Sequence, residues 1–168
     1  SSGVVTLDSA ANAGSAASHS FTVTAVDSAG NSNTTGTLSA SVVDTTAPTI
    51  TSSIESSIDD GATALGSVSA NETVTWAISG SGVSISSSGV VTLDSAANYQ
   101  TAVSHSFTIT ATDSLDNVAT TSVLTVSVDD ITAPTITSSI ESSVDDGATA
   151  LGSVSANETV TWSITGSG

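Results

Sequence analysis

Every formally charged side chain in this sequence is a carboxylate. The 168 residues hold 16 Asp and Glu and no Lys or Arg, a net charge of −16 with both histidines neutral. Ordinary domains carry about 25% charged residues of both signs, so these acids lack any internal basic partner. Such an excess favours bound cations, high salt, or both. The acids also recur in register. Asp8 and Asp94 stand 86 positions apart (94 − 8), as do Asp27 and Asp113 (113 − 27). Asp44 and the pair Asp129-Asp130 each close a β-rich run just before an Ala-Pro step, at Pro48 and Pro134, again 86 apart (134 − 48).

The same composition argues against other chemistry. Nucleic acid needs cationic contacts to its phosphates, and an anionic membrane surface repels this charge. No Ser-His-Asp order recurs at catalytic spacing, so no catalytic residue is assigned and no enzymatic activity is expected. With no Cys, no disulfide can staple the fold. No run of about 18 apolar residues is present to span a membrane.

Those acids sit on a tandem repeat, and a fixed period outranks other sequence signals. The 86-residue register runs through the chain without a gap and also relates His19 to His105 and Trp76 to Trp162. It predicts three segments: 1–45 is the back part of one repeat, 46–131 a complete repeat, and 132–168 the front part of the next. Two arrangements suit that phase. The sequence is a window on a longer array, or the end of one chain completes the start of another in a head-to-tail fibre.

Within the complete repeat the apolar residues alternate at period 2, the mark of a half-buried strand. Ile50 and Ile54 mark a first strand, broken at Asp59-Asp60-Gly61, and Val68 and Ala70 face inward on a second. Val74, Trp76 and Ile78 share a face of the third. Short strands follow at Ile85 and at Val91 to Leu93, then a longer one through Phe107, Ile109 and Ala111, and a last one through Leu124, Val126 and Val128. About seven strands with turn signals every 8–12 residues and no helical run predict an all-β, Greek-key sandwich. In the back part at the N-terminus the same pattern places strands at Val4–Asp8, Phe21–Ala25 and Thr37–Val43.

The order of short motifs resembles a cadherin repeat of bacterial or archaeal type. The residues are Ala47-Pro48, Asp59-Asp60, Gly66-Ser67-Val68, Trp76-Ala77-Ile78, Gly89-Val90-Val91, Leu93-Asp94, Ala111-Thr112-Asp113 and Asp129-Asp130. Immunoglobulin-like adhesin repeats, which also open near Ala-Pro-Thr-Ile, are equally similar. The cadherin resemblance implies calcium between successive modules, held by acids of both. Carried over by position, one joint uses Asp8, Asp44, Asn71 or Glu72, and Asp113. The other uses Asp60, Asp94, Asp129 or Asp130, and Asn157 or Glu158. The pattern departs from the family where Leu93-Asp94 is followed by Ser95-Ala96, without a second acid, and where Val43 replaces Asp129's counterpart. Fewer ions per joint are therefore expected.

Each residue also has a plainer role. Asp and Asn in turns serve local backbone hydrogen bonds. Trp76 and Trp162 suit a core, and His19 and His105 a packing or solvated position before a strand. Asn33, Asn71 and Asn157 each begin an Asn-x-Thr acceptor pattern that a Thr-rich chain also produces by chance. The reading that joins these features is a structural or adhesive repeat at the cell surface or outside the cell. It forms a stalk or fibre with calcium-stiffened joints and associates with neighbouring repeats or copies of itself. The alternative is a carbohydrate-binding accessory module of a secreted enzyme. That role usually needs exposed aromatics, and the sequence has two Trp, one Tyr and two Phe.

Overall fold

The computed structural model describes residues 2–166; Ser1 and residues 167–168 of the end segments lie outside them. Among the described residues no helix forms, and none is long and apolar enough to cross a membrane. In chain order the strands are β1 Ser18–Phe21, β2 Thr24–Val26, β3 Ser32–Thr34, β4 Leu38–Ser41, β5 Ile50–Ile54, β6 Ser57–Asp59, β7 Ala64–Ala70 and β8 Thr75–Gly80. They continue with β9 Val83–Ile85, β10 Val90–Leu93, β11 Ser104–Thr112, β12 Val118–Thr120, β13 Leu124–Asp129, β14 Ile136–Ile140 and β15 Gly152–Ala156.

Strands β5 to β13 make one sandwich. One sheet runs β5-β7-β10-β9, and the other is built on β11, with β8 on one edge and β12, β13 and β6 on the other side. The first predicted strand is in fact two. After Ile54 the chain leaves the first sheet, where Glu55 N still donates to Leu65 O at 3.0 Å, and Ser56 O accepts from Ser127 N of the second sheet at 3.0 Å. Strand β6 then pairs parallel with β13, Ile58 opposite Val128. The last predicted strand is β13; β12, which pairs β11 just after the Asp113 turn, is an additional strand that the alternation did not predict.

The core lies between the sheets. Leu65 and Val91 from the first sheet and Ile109 and Val126 from the second are its largest fully enclosed side chains. Trp76 and Ile78 pack partly buried against it, as the alternation predicts. Leu65 escapes that alternation because β7 carries a bulge: the register with β10 shifts between Val91 and Thr92. A bulge inserts a residue and re-aims its neighbours. It is built on Gly66, whose φ of 118° and close approach to Ser53 O leave no room for a Cβ, which would sit 2.2 Å from that oxygen.

The end segments keep the local pairings of the repeat. Strands β14 and β15 reproduce the β5–β7 register, with Ile136 opposite Ala156 as Ile50 is opposite Ala70. Strand β1 pairs β4, and β2 pairs β3. Three sequence expectations are not met there. Residues 4–8 and the run around Trp162 form no strand, and the single strand expected over 21–25 splits into β1 and β2. The complete sandwich supplies the reason. Strand β10 exists by pairing with β7 and β9, and β8 by pairing with β11. Among the described residues the end segments have no such partner in place. His19 and His105 lie within β1 and β11 rather than before them, half-buried, each with an enclosed Nε2 that finds no hydrogen-bond partner.

Candidate metal centre

Strand β11 delivers Asp113 to a five-residue turn. Asp113 N donates to Asn117 O at 3.0 Å. Its Oδ1 accepts from Leu115 N at 2.8 Å and Asn117 N at 2.9 Å, and its Oδ2 from the Asn117 amide at 2.8 Å. The turn requires a left-handed residue, filled by Asp116 at φ 65° and in the earlier repeat by Gly30 at φ 89°; Asp is one of the few L-residues that adopts this conformation readily. The Asn117 amide holds the Asp113 carboxyl below its ordinary value; burial opposes this, and the backbone N–H groups of Asn117 and Leu115 add to it. Asp113 is thus a buried, ionised carboxylate with one lone pair of Oδ2 still free.

The bend after β7 carries Asn71 and Glu72. Asn71 is consumed locally: its Oδ1 accepts from Thr49 N at 2.6 Å, and its own N donates to Thr49 O at 3.3 Å, fixing the chain just past Pro48. Glu72 is left to face the joint. Burial, and after it the charges of Asp44 and Asp113, push its carboxyl above the ordinary value. Asp44 comes from the segment that joins β4 to β5. Its Oδ1 caps Thr46 N at 3.0 Å, and its carbonyl accepts from Asn117 Nδ2 at 3.1 Å.

Asp44, Glu72 and Asp113 therefore meet: one oxygen from each lies within 4.8 Å of the others. Ligands on opposite sides of calcium, each about 2.4 Å away, are separated by roughly that distance. All three donors are carboxylates, the type that suits calcium, magnesium or manganese rather than zinc or copper. The carboxylates do not saturate such an ion, and a solvent-open cleft of ≈ 370 Å³ beside Asp44 and Glu72 gives water access. The residues fit a hard divalent cation. Like charges held this close repel, and the sequence has no base to offset them.

The other sequence candidates are placed differently. Asp8 is exposed on an irregular segment outside this group. Asp94 serves the β9–β10 hairpin: its N donates to Gly82 O at 2.9 Å and its carboxylate accepts from Ser84 Oγ. Asp60 ties three segments together. Its Oδ1 accepts from Tyr99 N at 3.1 Å, its Oδ2 from Thr132 Oγ1 at 2.7 Å, and its N donates to Asp129 O at 2.9 Å. Asp129 stands opposite Asp59 at the end of the β6–β13 pair. Asp130 caps Thr132 N at 3.1 Å, as Asp44 caps Thr46. Asn157 fastens Thr135 N at 2.7 Å, as Asn71 fastens Thr49. Glu158 accepts from Gln100 Nε2 at 3.3 Å through Oε2, while its Oε1 is enclosed without a partner. Among the described residues these six acids do not converge as the first three do. Sequence reasoning did not single out Asn117, although its fixed spacing from Asp113, repeated in Asp27 and Asn31, was the available signal.

No protein-family model matches the sequence, and no curated protein matches it. Solved structures do match the fold. The structure of PcdhgB3 EC1-4 aligns at TM-score 0.56 and 20% identity, over 80% of this chain and 38% of that one. The protocadherin gammaB7 EC3-6 cis-dimer structure aligns at 0.56 and 21%, over 80% and 39%. Mouse clustered PcdhgC3 EC1-3 aligns at 0.54 and 19%, over 75% and 47%. The chain spans less than half the length of these structures. The class of fold is thus a cadherin-like β-sandwich.

Proposed function

We propose that this chain is a structural or adhesive module of an extracellular stalk or fibre, in which calcium stiffens the joints between 86-residue repeats. The division into repeat segments 1–45, 46–131 and 132–168 is part of the same reading. The observation that carries it is the meeting of Asp44, from the joint itself, with Glu72 and Asp113 of the following sandwich. A cation there ties the joint to the sandwich below it and removes the repulsion among three carboxylates. Asn71, Asn117 and Thr46 hold the linker and the turn in place around it. At the next joint, Asp60, Asp94, Asp129, Asp130 and Glu158 are the corresponding acids. Among solved structures of like fold, protocadherin Gamma B2 is represented by extracellular cadherin domains and protocadherin gammaB7 by a cis dimer; an extracellular, self-associating role is proposed for this chain by that likeness of fold.

The test is a calcium titration followed by melting temperature, with a chelator as reference. Calcium at a hundred times Kd stabilises by about 2.7 kcal/mol per site. Glu72→Gln with Asp113→Asn is expected to abolish the rise contributed by this joint. Equal melting of the parent chain in calcium and in chelator, with unchanged small-angle scattering, overturns the reading.

A further inference from the structure

The repeat is inexact in one loop that borders the joints. Asn98-Tyr99-Gln100-Thr101-Ala102, ahead of β11, stands where the earlier repeat has Asn12-Ala13-Gly14-Ser15-Ala16 ahead of β1. Both loops make the same turn. Asn98 O accepts from Thr101 N at 3.0 Å, Ala102 N at 2.9 Å and Thr101 Oγ1 at 2.9 Å. Asn12 O accepts from Ser15 N at 3.1 Å, Ala16 N at 3.0 Å and Ser15 Oγ at 3.1 Å. Two backbones of one shape therefore present different side chains, Gln100 and Gly14.

The bends that meet these turns are also built alike. Asn157 holds Thr135 through N at 3.3 Å and Oδ1 at 2.7 Å, as Asn71 holds Thr49. Each bend sets a glutamate beside a turn: Gly14 and Glu72 border one cleft, and Gln100 meets Glu158. There the likeness ends. Gln100 Nε2 donates to Glu158 Oε2 at 3.3 Å, joining residues 58 apart, while Glu158 Oε1 is enclosed without a partner. A hydrogen bond to an ionised oxygen is stronger than one between neutral groups. The turn beneath Gln100 is itself tied to the linker, because Asp60 accepts from both Tyr99 N and Thr132 Oγ1. Gly14 has no side chain to offer Glu72.

We propose that the residue at this turn sets how each joint is held. Gln100 latches the sandwich directly to the bend of the following repeat, without a metal, and Gly14 leaves the earlier joint with no such latch. Neighbouring joints of one chain then differ in mechanics, one held by an amide and the other open to control by a cation. The latch needs no part of the calcium reading; the cation at the Gly14 joint rests on it.

The experiment measures each joint separately. The chain has no cysteine, so introduced pairs can carry spin labels at chosen sites. Ser41→Cys with Ser69→Cys spans the Gly14 joint. Ser127→Cys with Ser155→Cys, the same positions one repeat later, spans the Gln100 joint, and all four serines are exposed. Distances are read by pulsed electron resonance in excess chelator, where the 127-to-155 distribution is expected to be the narrower. Gln100→Ala should broaden it, with about a fivefold fall in the ratio of latched to open joint, the worth of one hydrogen bond. Gln100→Glu, equal in size but without the donor, should broaden it further. Gly14→Gln should narrow the 41-to-69 distribution; its new Cβ meets only the Asn12 side chain, at 3.2 Å. An unchanged 127-to-155 distribution in both Gln100 variants, or no narrowing with Gly14→Gln, overturns the proposal. Adding calcium to the parent tests the other reading. A 41-to-69 distribution that calcium leaves unchanged counts against calcium at that joint, while the responses in chelator still decide the latch.

Discussion

Asn117 Nδ2 donates to the carbonyl oxygen of Asp44 at 3.1 Å, joining residues 73 apart in sequence. The same amide nitrogen donates to Asp113 Oδ2 at 2.8 Å. One side chain therefore sets both the direction in which the linker enters the sandwich and the orientation of a buried carboxylate. Asn117→Ala is expected to remove both bonds and destabilise the protein by about 1–3 kcal/mol. It should also enlarge the swing at the joint, read as a broader distance distribution in small-angle scattering of the metal-free protein. Melting and scattering equal to the parent's would show that the linker is held by other contacts.

The pH dependence separates Glu72 from Asp113. The Glu72 carboxyl is raised above its ordinary 4.5, so the metal-free native state takes up that proton more readily than the unfolded chain does. Its favourable contribution is complete below 4.5 and is lost as pH rises through the folded value. Asp113 runs the other way: its contribution is present above the ordinary 3.8 and is lost as pH falls through a still lower folded value. Acidifying the metal-free protein from neutral should therefore first raise the melting temperature, then lower it in strong acid. Glu72→Gln should flatten the first limb only. A monotonic fall in the parent from pH 7 downward would count against this assignment.

Calcium should reverse the first limb. Its carboxylate ligands must be ionised, so affinity rises with pH. In saturating calcium the melting temperature is expected to increase from pH 4 to pH 7, with the increase absent in the variant carrying both Glu72→Gln and Asp113→Asn. A calcium response that survives in that variant would move the site elsewhere.

Leu65→Ala should cost about 2–5 kcal/mol, the range for emptying a fully enclosed leucine site. Leu151→Ala, the same change one repeat later at an exposed residue, should stay within about 0.5 kcal/mol in dilute solution. Urea melts of the two variants provide the comparison. Equal losses would mean that the front segment is enclosed in solution.

Gly66→Ala is expected to be worse than its size suggests. The new Cβ would meet Ser53 O, a backbone atom that cannot step aside, at a φ that L-residues avoid. The loss should exceed about 1 kcal/mol. A variant that folds at the parent's stability would show that the β7 bulge can open without cost.

The sequence by itself determined the period, the strand alternation, the Greek-key sandwich and the acids from which a site could be drawn. These are local or repeated features, and a repeat displays each of them twice. Three members of one predicted set, Asp44, Glu72 and Asp113, do come together, and Asp8 does not. Tertiary structure decided which of Asn71 and Glu72 faces the joint, because the Thr49 backbone claims Asn71. It also decided that Leu65 points inward, because a bulge at Gly66 breaks the simple alternation. The clearest separation lies in identical residues with different fates. Val90-Val91-Thr92-Leu93 is a strand and Val4-Val5-Thr6-Leu7 is not; Trp76 lies on a strand and Trp162 does not. Strand preference is a statement about fitting a paired, half-buried surface. A sequence carries that preference, but the hydrogen bonds and apolar contacts that realise it come from another strand.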